Sequence, residues 1–175
     1  MKRERLVLGG GCFWCVEAVF SEVKGVLSAI SGYAGGLRAN PSYENVCTGA
    51  TGHAEIVDIL YDSEIISASE LLDIFFVIHN PTTLNQQGAD RGTQYRSVVY
   101  YDSEEEKEII LESIKKNQSK FNDKIVTQVA KLPEVFRAET YHQNYYKLNS
   151  NQGYCQVVIA PKLQKFMTTF PEKIG

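Results

Sequence analysis

The chain is short of several things, and each shortage excludes a class of protein. Four cysteines in 175 residues are too few for the disulfide framework of a small secreted scaffold. No apolar run approaches the ~20 residues that cross a bilayer. Basic charge is not in excess, since 18 Lys and Arg stand against 21 Asp and Glu for a net charge of −3. That balance argues against a nucleic-acid binder or a polybasic membrane-surface protein. Internal repeats, low-complexity tracts and coiled-coil heptads are also missing.

What remains is an ordinary globular composition, 43% hydrophobic and 22% charged. Area scaling predicts about 8,600 Å² of folded surface against about 28,600 Å² unfolded, enough burial for a core without disulfides. We expect a single domain over 1–175, with a core over about 4–135 and a loop-rich segment over about 136–175. Met1 to Arg5 followed by Leu6-Val7-Leu8 imitates a signal peptide. The apolar stretch Leu6 to Gly11 is shorter than the ~7–15 residues of such a segment, and a strand running into a turn accounts for it. The expectation is a cytoplasmic, monomeric protein with reduced thiols.

The pattern along the chain is mixed. Leu6-Val7-Leu8 predicts a buried strand ended by Gly9-Gly10-Gly11, and Cys12 to Val23 carries helical periodicity. Val26 to Ile30 and His53 to Tyr61 read as strands, with a long loop through Gly32 to Pro41 between them. Ser67 and Glu70 form a capping box before an apolar helix over Leu71 to Ile78, which Pro81 stops. Thr82 to Gly92 reads as a polar loop and Tyr95 to Tyr101 as a strand. Asp102 or Ser103 caps a helix to about Ser119, and Ile125 to Val129 is a short strand. Tyr141 to Cys155 reads as an ordered loop, Gln156 to Ala160 as a strand and Leu163 to Phe170 as a short helix. Without strict βαβ alternation, the class is α+β.

Cys12 falls at the first turn of a helix, after three glycines. Helix N-termini offer free N–H groups and partial positive charge, which predicts a depressed pKa and a reactive thiolate. A buried structural cysteine is the plainer alternative. Cys12-Phe13-Trp14-Cys15 is also a Cys-x-x-Cys, the pattern of a dithiol redox site or half of a zinc site. Cys47, Cys155, His53, His79 and His142 could supply further ligands, but no second pair has zinc-finger spacing, so no metal is expected. The glycines fail as a dinucleotide fingerprint, because Trp14 stands where the third glycine belongs.

In the strand around Glu55, a period of two groups Glu55 with Val57 and Ile59. If that face is buried, Glu55 is an inward carboxyl whose pKa rises by desolvation, suited to general-acid work. Asn40-Pro41-Ser42-Tyr43 and the polar segment Gly88 to Ser97 add tyrosine hydroxyls as possible donors. Cys47 reads as buried beside the Tyr43 loop, His53 as a hydrogen-bonding support and His79 as structural.

These segments form one ordered series: Gly-Cys-Phe-Trp at 11–14, Gly-Tyr-Ala-Gly-Gly at 32–36, Asn-Pro-Ser-Tyr at 40–43, Val-Cys-Thr-Gly at 46–49, Thr-Gly-His-Ala-Glu at 51–55, Gly-Thr-Gln-Tyr-Arg-Ser at 92–97 and His-Gln-Asn-Tyr at 142–145. The series resembles the A-type peptide methionine sulfoxide reductases, over about residues 4–160. The resemblance implies a ferredoxin-like two-layer core. It implies Cys12 as nucleophile, Phe13 and Trp14 as walls of a pocket for the S-methyl group, and Glu55 as acid. Tyr43 and Tyr95 would hydrogen-bond the sulfoxide oxygen, and Asp90 would line the site. Cys155, in a flexible C-terminal segment, would be the resolving thiol, and thioredoxin the reductant. No cofactor is implied. Cys15 departs from the small residue frequent at that position and makes a second candidate resolving thiol. Ala89 stands where Asn is frequent before Asp90. The competing readings are a thioredoxin-like disulfide oxidoreductase using Cys12 and Cys15, and a zinc-stabilised binding module.

Overall fold

The computed structural model describes all residues 1–175. Strand β1 (Arg3–Gly9) leads into helix α1 (Phe13–Phe20), then β2 (Val26–Ala34), a short α2 (Tyr43–Cys47), β3 (Ala54–Asp62) and α3 (Ala68–Ile78). A small hairpin of β4 (Gln86–Gln87) and β5 (Asp90–Arg91) precedes β6 (Val98–Tyr101), α4 (Glu104–Gln118), β7 (Gln128–Lys131) and β8 (Val135–Arg137). The chain closes with α5 (Tyr145–Asn149), one π-helical turn (Cys155–Ile159) and α6 (Ala160–Thr169).

Six strands form one sheet in the order β7-β6-β1-β3-β2-β8. The inner four, β6-β1-β3-β2, pair antiparallel. With α1 and α3 as crossovers, they make the β-α-β-β-α-β unit of a ferredoxin-like fold, and the class is α+β as expected. β7 adds in parallel to β6, and β8 adds antiparallel to β2. Leu6, Leu8, Val57, Ile59 and Val99 face the helical layer and join its apolar side chains in the main core. Val7, Ile56 and Val98 point the other way, under Ala130, Leu132 and Val135. The folded surface of 8803 Å² agrees with the scaling expectation.

Local chemistry explains the helix boundaries. The Ser67 hydroxyl accepts from the Glu70 N–H at 3.1 Å and the Glu70 carboxylate accepts from the Ser67 N–H at 3.2 Å, a reciprocal cap worth about 1 kcal/mol. Ser103, not Asp102, caps α4. A second capping box, Ser42 with Asn45, starts α2. That helix was hidden in the sequence because its five residues carry no period.

Four structural expectations are corrected. Gln156 to Ala160 is not a strand. Its β-branched run imitates one, but Val157 is 75% exposed while Cys155 and Ile159 are buried, the spacing of a helical turn. Pro161 lacks an N–H to donate back, which fits the wide turn just before it. The segment over 136–175 is largely helical rather than loop-rich, and Cys155 within it is fully buried against the core. The polar loop over 82–92 contains the β4–β5 hairpin, which pairs Gln87 with Asp90. Cys47 is exposed, not buried.

Candidate active site

The glycine run at the end of β1 is set by close approach. A Cβ on Gly9 would stand 2.4 Å from the carbonyl oxygen of Glu55. Gly11 has φ +88°, and its N–H donates to the Tyr95 carbonyl at 3.2 Å. The three glycines therefore bring Cys12, Glu55 and Tyr95 to one place. Cys12 is the N-cap of α1 and is 8% exposed.

Glu55 lies on the inward face of β3 and is 1% exposed, as the alternation predicts. Its Oε1 accepts from the backbone N–H of Phe13 at 3.1 Å, while Oε2 has no partner. Burial pushes the carboxyl up to about 8, the Phe13 N–H opposing and the Asp90 charge adding to the rise. At neutral pH this is a protonated acid with a free hydroxyl and nothing to donate to.

Cys12 departs from the sequence expectation. Its thiol is pushed up, not down, in the folded protein. Burial is the main cause, and interaction with Cys15 and the charge of Glu55 add to it, against a backbone N–H at Trp14. One turn of helix is too little to offset loss of water around the thiolate. Cys15 is also buried, its backbone N–H donates to the Cys12 carbonyl at 3.1 Å, and the two thiols act directly on each other. Cys155 lies near enough to feel the charge of Cys15.

Aromatic rings enclose the thiol. Phe13 is buried against Tyr33, Tyr43 and His142 at ring separations of 5.6, 6.3 and 5.1 Å. Trp14 is half-buried and stacks on Tyr145 at 3.7 Å and 7°, with the edge of Tyr154 at 5.8 Å. Tyr43 and Tyr95 are half-buried, and burial followed by nearby thiols and the Glu55 charge holds both phenols protonated. The Tyr43 N–H donates to Glu139 at 2.9 Å, fixing the start of α2 over the site. Asp90, on β5, accepts from the Tyr154 hydroxyl at 3.0 Å.

The structure brings Cys12, Phe13, Trp14, Cys15, Tyr43, Glu55, Asp90 and Tyr95 together, with Cys155 near Cys15, while His53 and His79 make their contacts elsewhere. Others were missed: His142, Tyr145 and Tyr154 had no assigned role, although they sit in the His-Gln-Asn-Tyr and Gly-Tyr-Cys segments. His142 accepts the Trp14 indole N–H at 3.0 Å, so one imidazole orients the wall of the pocket. Glu139 had no sequence signal. His53 holds the loop at Gly36 and Arg38 through both ring nitrogens. His79 bonds to the Phe75 carbonyl and the Ser97 hydroxyl and is pushed down to about 3 by burial, so both are structural. No group of three or more His, Cys, Asp or Glu side chains converges as a metal site would require.

The arrangement can deliver a thiol and a proton to one small polar group with apolar neighbours. Comparison with known proteins agrees with that chemistry. The family described as Peptide methionine sulfoxide reductase matches residues 4–174. Peptide methionine sulfoxide reductase MsrA of Polynucleobacter asymbioticus is 57% identical over 174 residues, covering 98% of this chain and 92% of that protein. The MsrA of Nitratiruptor sp. is 56% identical over 169 residues, 97% of each. The reduced form of Mxr1 from Saccharomyces cerevisiae shares the fold at a TM-score of 0.82 and 33% identity, over 88% of this chain and 90% of that one; Mxr1 has also been solved in complex with Trx2. A match along nearly the whole chain, on a fold shared with a solved relative, makes this protein a member of the peptide methionine sulfoxide reductases, a family of oxidoreductases.

Proposed function

We propose that this chain reduces the S epimer of methionine sulfoxide, free or in proteins, to methionine. The observation that carries the reading is Glu55: a fully buried carboxyl, raised to about 8, bonded to the residue after the nucleophile through Oε1 and without a partner at Oε2. A sulfoxide oxygen is the acceptor such a donor lacks.

In the proposed reaction, the Cys12 thiolate attacks the sulfoxide sulfur while Glu55 protonates the oxygen and Tyr43 and Tyr95 donate to it. The sulfoxide S–O bond breaks as the bond from Cys12 to the substrate sulfur forms; water or the released hydroxide then attacks the Cys12 sulfur and breaks that bond, leaving Cys12 as a sulfenic acid and methionine as the thioether. Cys12 sulfur loses two electrons and the substrate sulfur gains them. A second thiol condenses with the sulfenic acid, releasing water and forming a disulfide, which an external dithiol protein of the thioredoxin type reduces by exchange. Phe13 and Trp14 hold the methyl group, and Asp90, through Tyr154, holds the rim. The thiols carry the whole redox change, so the chemistry calls for no cofactor. One chain supplies every group, consistent with a monomer acting in the cytoplasm. No helix is long and apolar enough to cross a membrane.

The direct test is methionine released per enzyme in a single turnover with methionine-S-sulfoxide, run beside Cys12→Ser and beside the R epimer. One equivalent from the S epimer alone, and none from Cys12→Ser, is expected. Equal turnover of both epimers, or methionine release by Cys12→Ser, overturns the reading.

A further inference from the structure

Glu17 is a charged residue that the proposed reaction does not use. It is 2% exposed, and none of the ion pairs in the structure includes it. Burying a carboxyl without a cation is costly unless its oxygens find strong donors. Both oxygens accept from one place, the backbone N–H of Asn144 at 3.0 Å each. Burial pushes the Glu17 carboxyl up, and the backbone N–H groups at Asn144 and Tyr145 pull it back.

Asn144 immediately precedes α5, in a left-handed conformation with φ 55°. That helix has five residues, and none of them is buried. A helix so short does not hold itself together in water, and only the half-buried Tyr145 and Tyr146 pack it against the core. Yet α5 carries Tyr145, whose ring lies flat on Trp14. Trp14 and Glu17 are three residues apart on α1, so they occupy one face of it. That face meets α5 at two adjacent points: indole on phenol, and carboxyl on the N–H just before it.

We propose that Glu17 is a positioning residue for the substrate pocket: by holding the start of α5 it keeps Tyr145 stacked on Trp14, and so sets the shape of the wall that receives the methyl end of the substrate. The inference rests on the sulfoxide reductase reading only for the identity of that substrate. The Trp14–Tyr145 geometry stands apart from it.

The chain has one tryptophan, so tryptophan emission reports the surroundings of Trp14, and Tyr145→Ala calibrates the share due to the stack. Glu17→Gln, and Glu17→Ala as the stronger change, are expected to shift Trp14 emission in the folded, substrate-free protein in the direction given by Tyr145→Ala. An aromatic pair worth about 1 kcal/mol corresponds to roughly a fivefold change in affinity, so half-saturation by a methionine-S-sulfoxide peptide should rise by about that factor. The single-turnover rate at saturation should stay within about twofold, because Glu17 touches no reacting atom. The double variant Glu17→Gln, Tyr145→Ala should be no worse than Tyr145→Ala. Unchanged Trp14 emission in folded Glu17→Gln, or defects that multiply in the double variant, overturns the proposal. The emission and its coupling to Tyr145 are read without substrate, so they decide the matter even if the substrate reading fails.

Discussion

The backbone N–H of Phe13 donates to Oε1 of Glu55 at 3.1 Å, tying the residue after the nucleophile to a carboxyl 42 positions away. The bond fixes which oxygen of Glu55 is occupied. Oε1 is held by the start of α1, which leaves the unpartnered Oε2 to carry the proton. The same helix start that presents the thiol also orients the acid.

Glu55→Gln keeps an oxygen for Phe13 but cannot transfer a proton. The single-turnover rate is expected to fall by about 10²–10⁴-fold. The pH dependence should change as well. The productive form has Cys12 ionised and Glu55 protonated, although Cys12 is the weaker acid of the two. In such a reversed pair the rate rises with pH until the carboxyl ionises, then levels off. The native kcat/KM profile should therefore level off near pH 8, whereas that of Glu55→Gln should keep rising to more alkaline pH. Identical profiles would remove Glu55 as the acid.

The same carboxyl predicts a stability effect of opposite sign. Unfolded, Glu55 ionises near 4.5; folded, near 8. Between those values the unfolded chain binds fewer protons, so this group lowers stability as pH rises through the window and adds no further loss above it. The full effect is of the order of 5 kcal/mol at about 1.4 kcal/mol per unit. Glu55→Gln should melt close to the native protein near pH 5 and clearly above it near pH 8. A melting difference that stays flat across that range would mean that Glu55 is not held neutral.

Much of this was legible in the sequence for physical reasons that act locally. Alternation along β3 put Glu55 inward with Val57 and Ile59, and Ser67 with Glu70 announced α3. Cys12 at a helix start after three glycines was equally plain. Its ionisation was not, because burial of the thiol, with the interaction of Cys15 and the charge of Glu55, is a tertiary effect that outweighs the helix end. His142 and Tyr145 were invisible as partners of Trp14, since only packing brings α5 onto α1. The burial of Cys155 was not legible, because glycine and asparagine before it read as a loop, while the contacts that bury its helical turn come from distant residues.

Trp14→Ala removes the ring that Tyr145 stacks on and His142 orients. With the wall gone, half-saturation by methionine-S-sulfoxide should rise by roughly tenfold or more, while Cys12 still yields one methionine per enzyme at saturation. Binding as tight as in the native protein would place the methyl group elsewhere.

The last prediction concerns which thiol resolves the sulfenic acid. Family resemblance favours Cys155, but the structure supplies an argument for Cys15. Cys12 caps α1 and Cys15 lies one turn in, with its N–H on the Cys12 carbonyl. Residues three apart on a helix have Cβ atoms about 5–6 Å apart, against about 3.5–4.5 Å in a disulfide, so a small shift of the first turn of α1 would close the bond. The two thiols already act on each other in the reduced protein. Cys155 is buried in its own helical turn and borders Cys15, so reaching Cys12 means unseating that turn. We therefore predict that Cys15→Ser prolongs the sulfenic acid, seen as greater capture by a dimedone probe after one turnover. Cys155→Ser should lose it as fast as the native enzyme. Early peptide maps should show Cys12 linked to Cys15, with linkage to Cys155 appearing later by exchange. Prolonged sulfenic acid in Cys155→Ser, with a first linkage between Cys12 and Cys155, would return the resolving role to Cys155 and show that the C-terminal turn opens during catalysis.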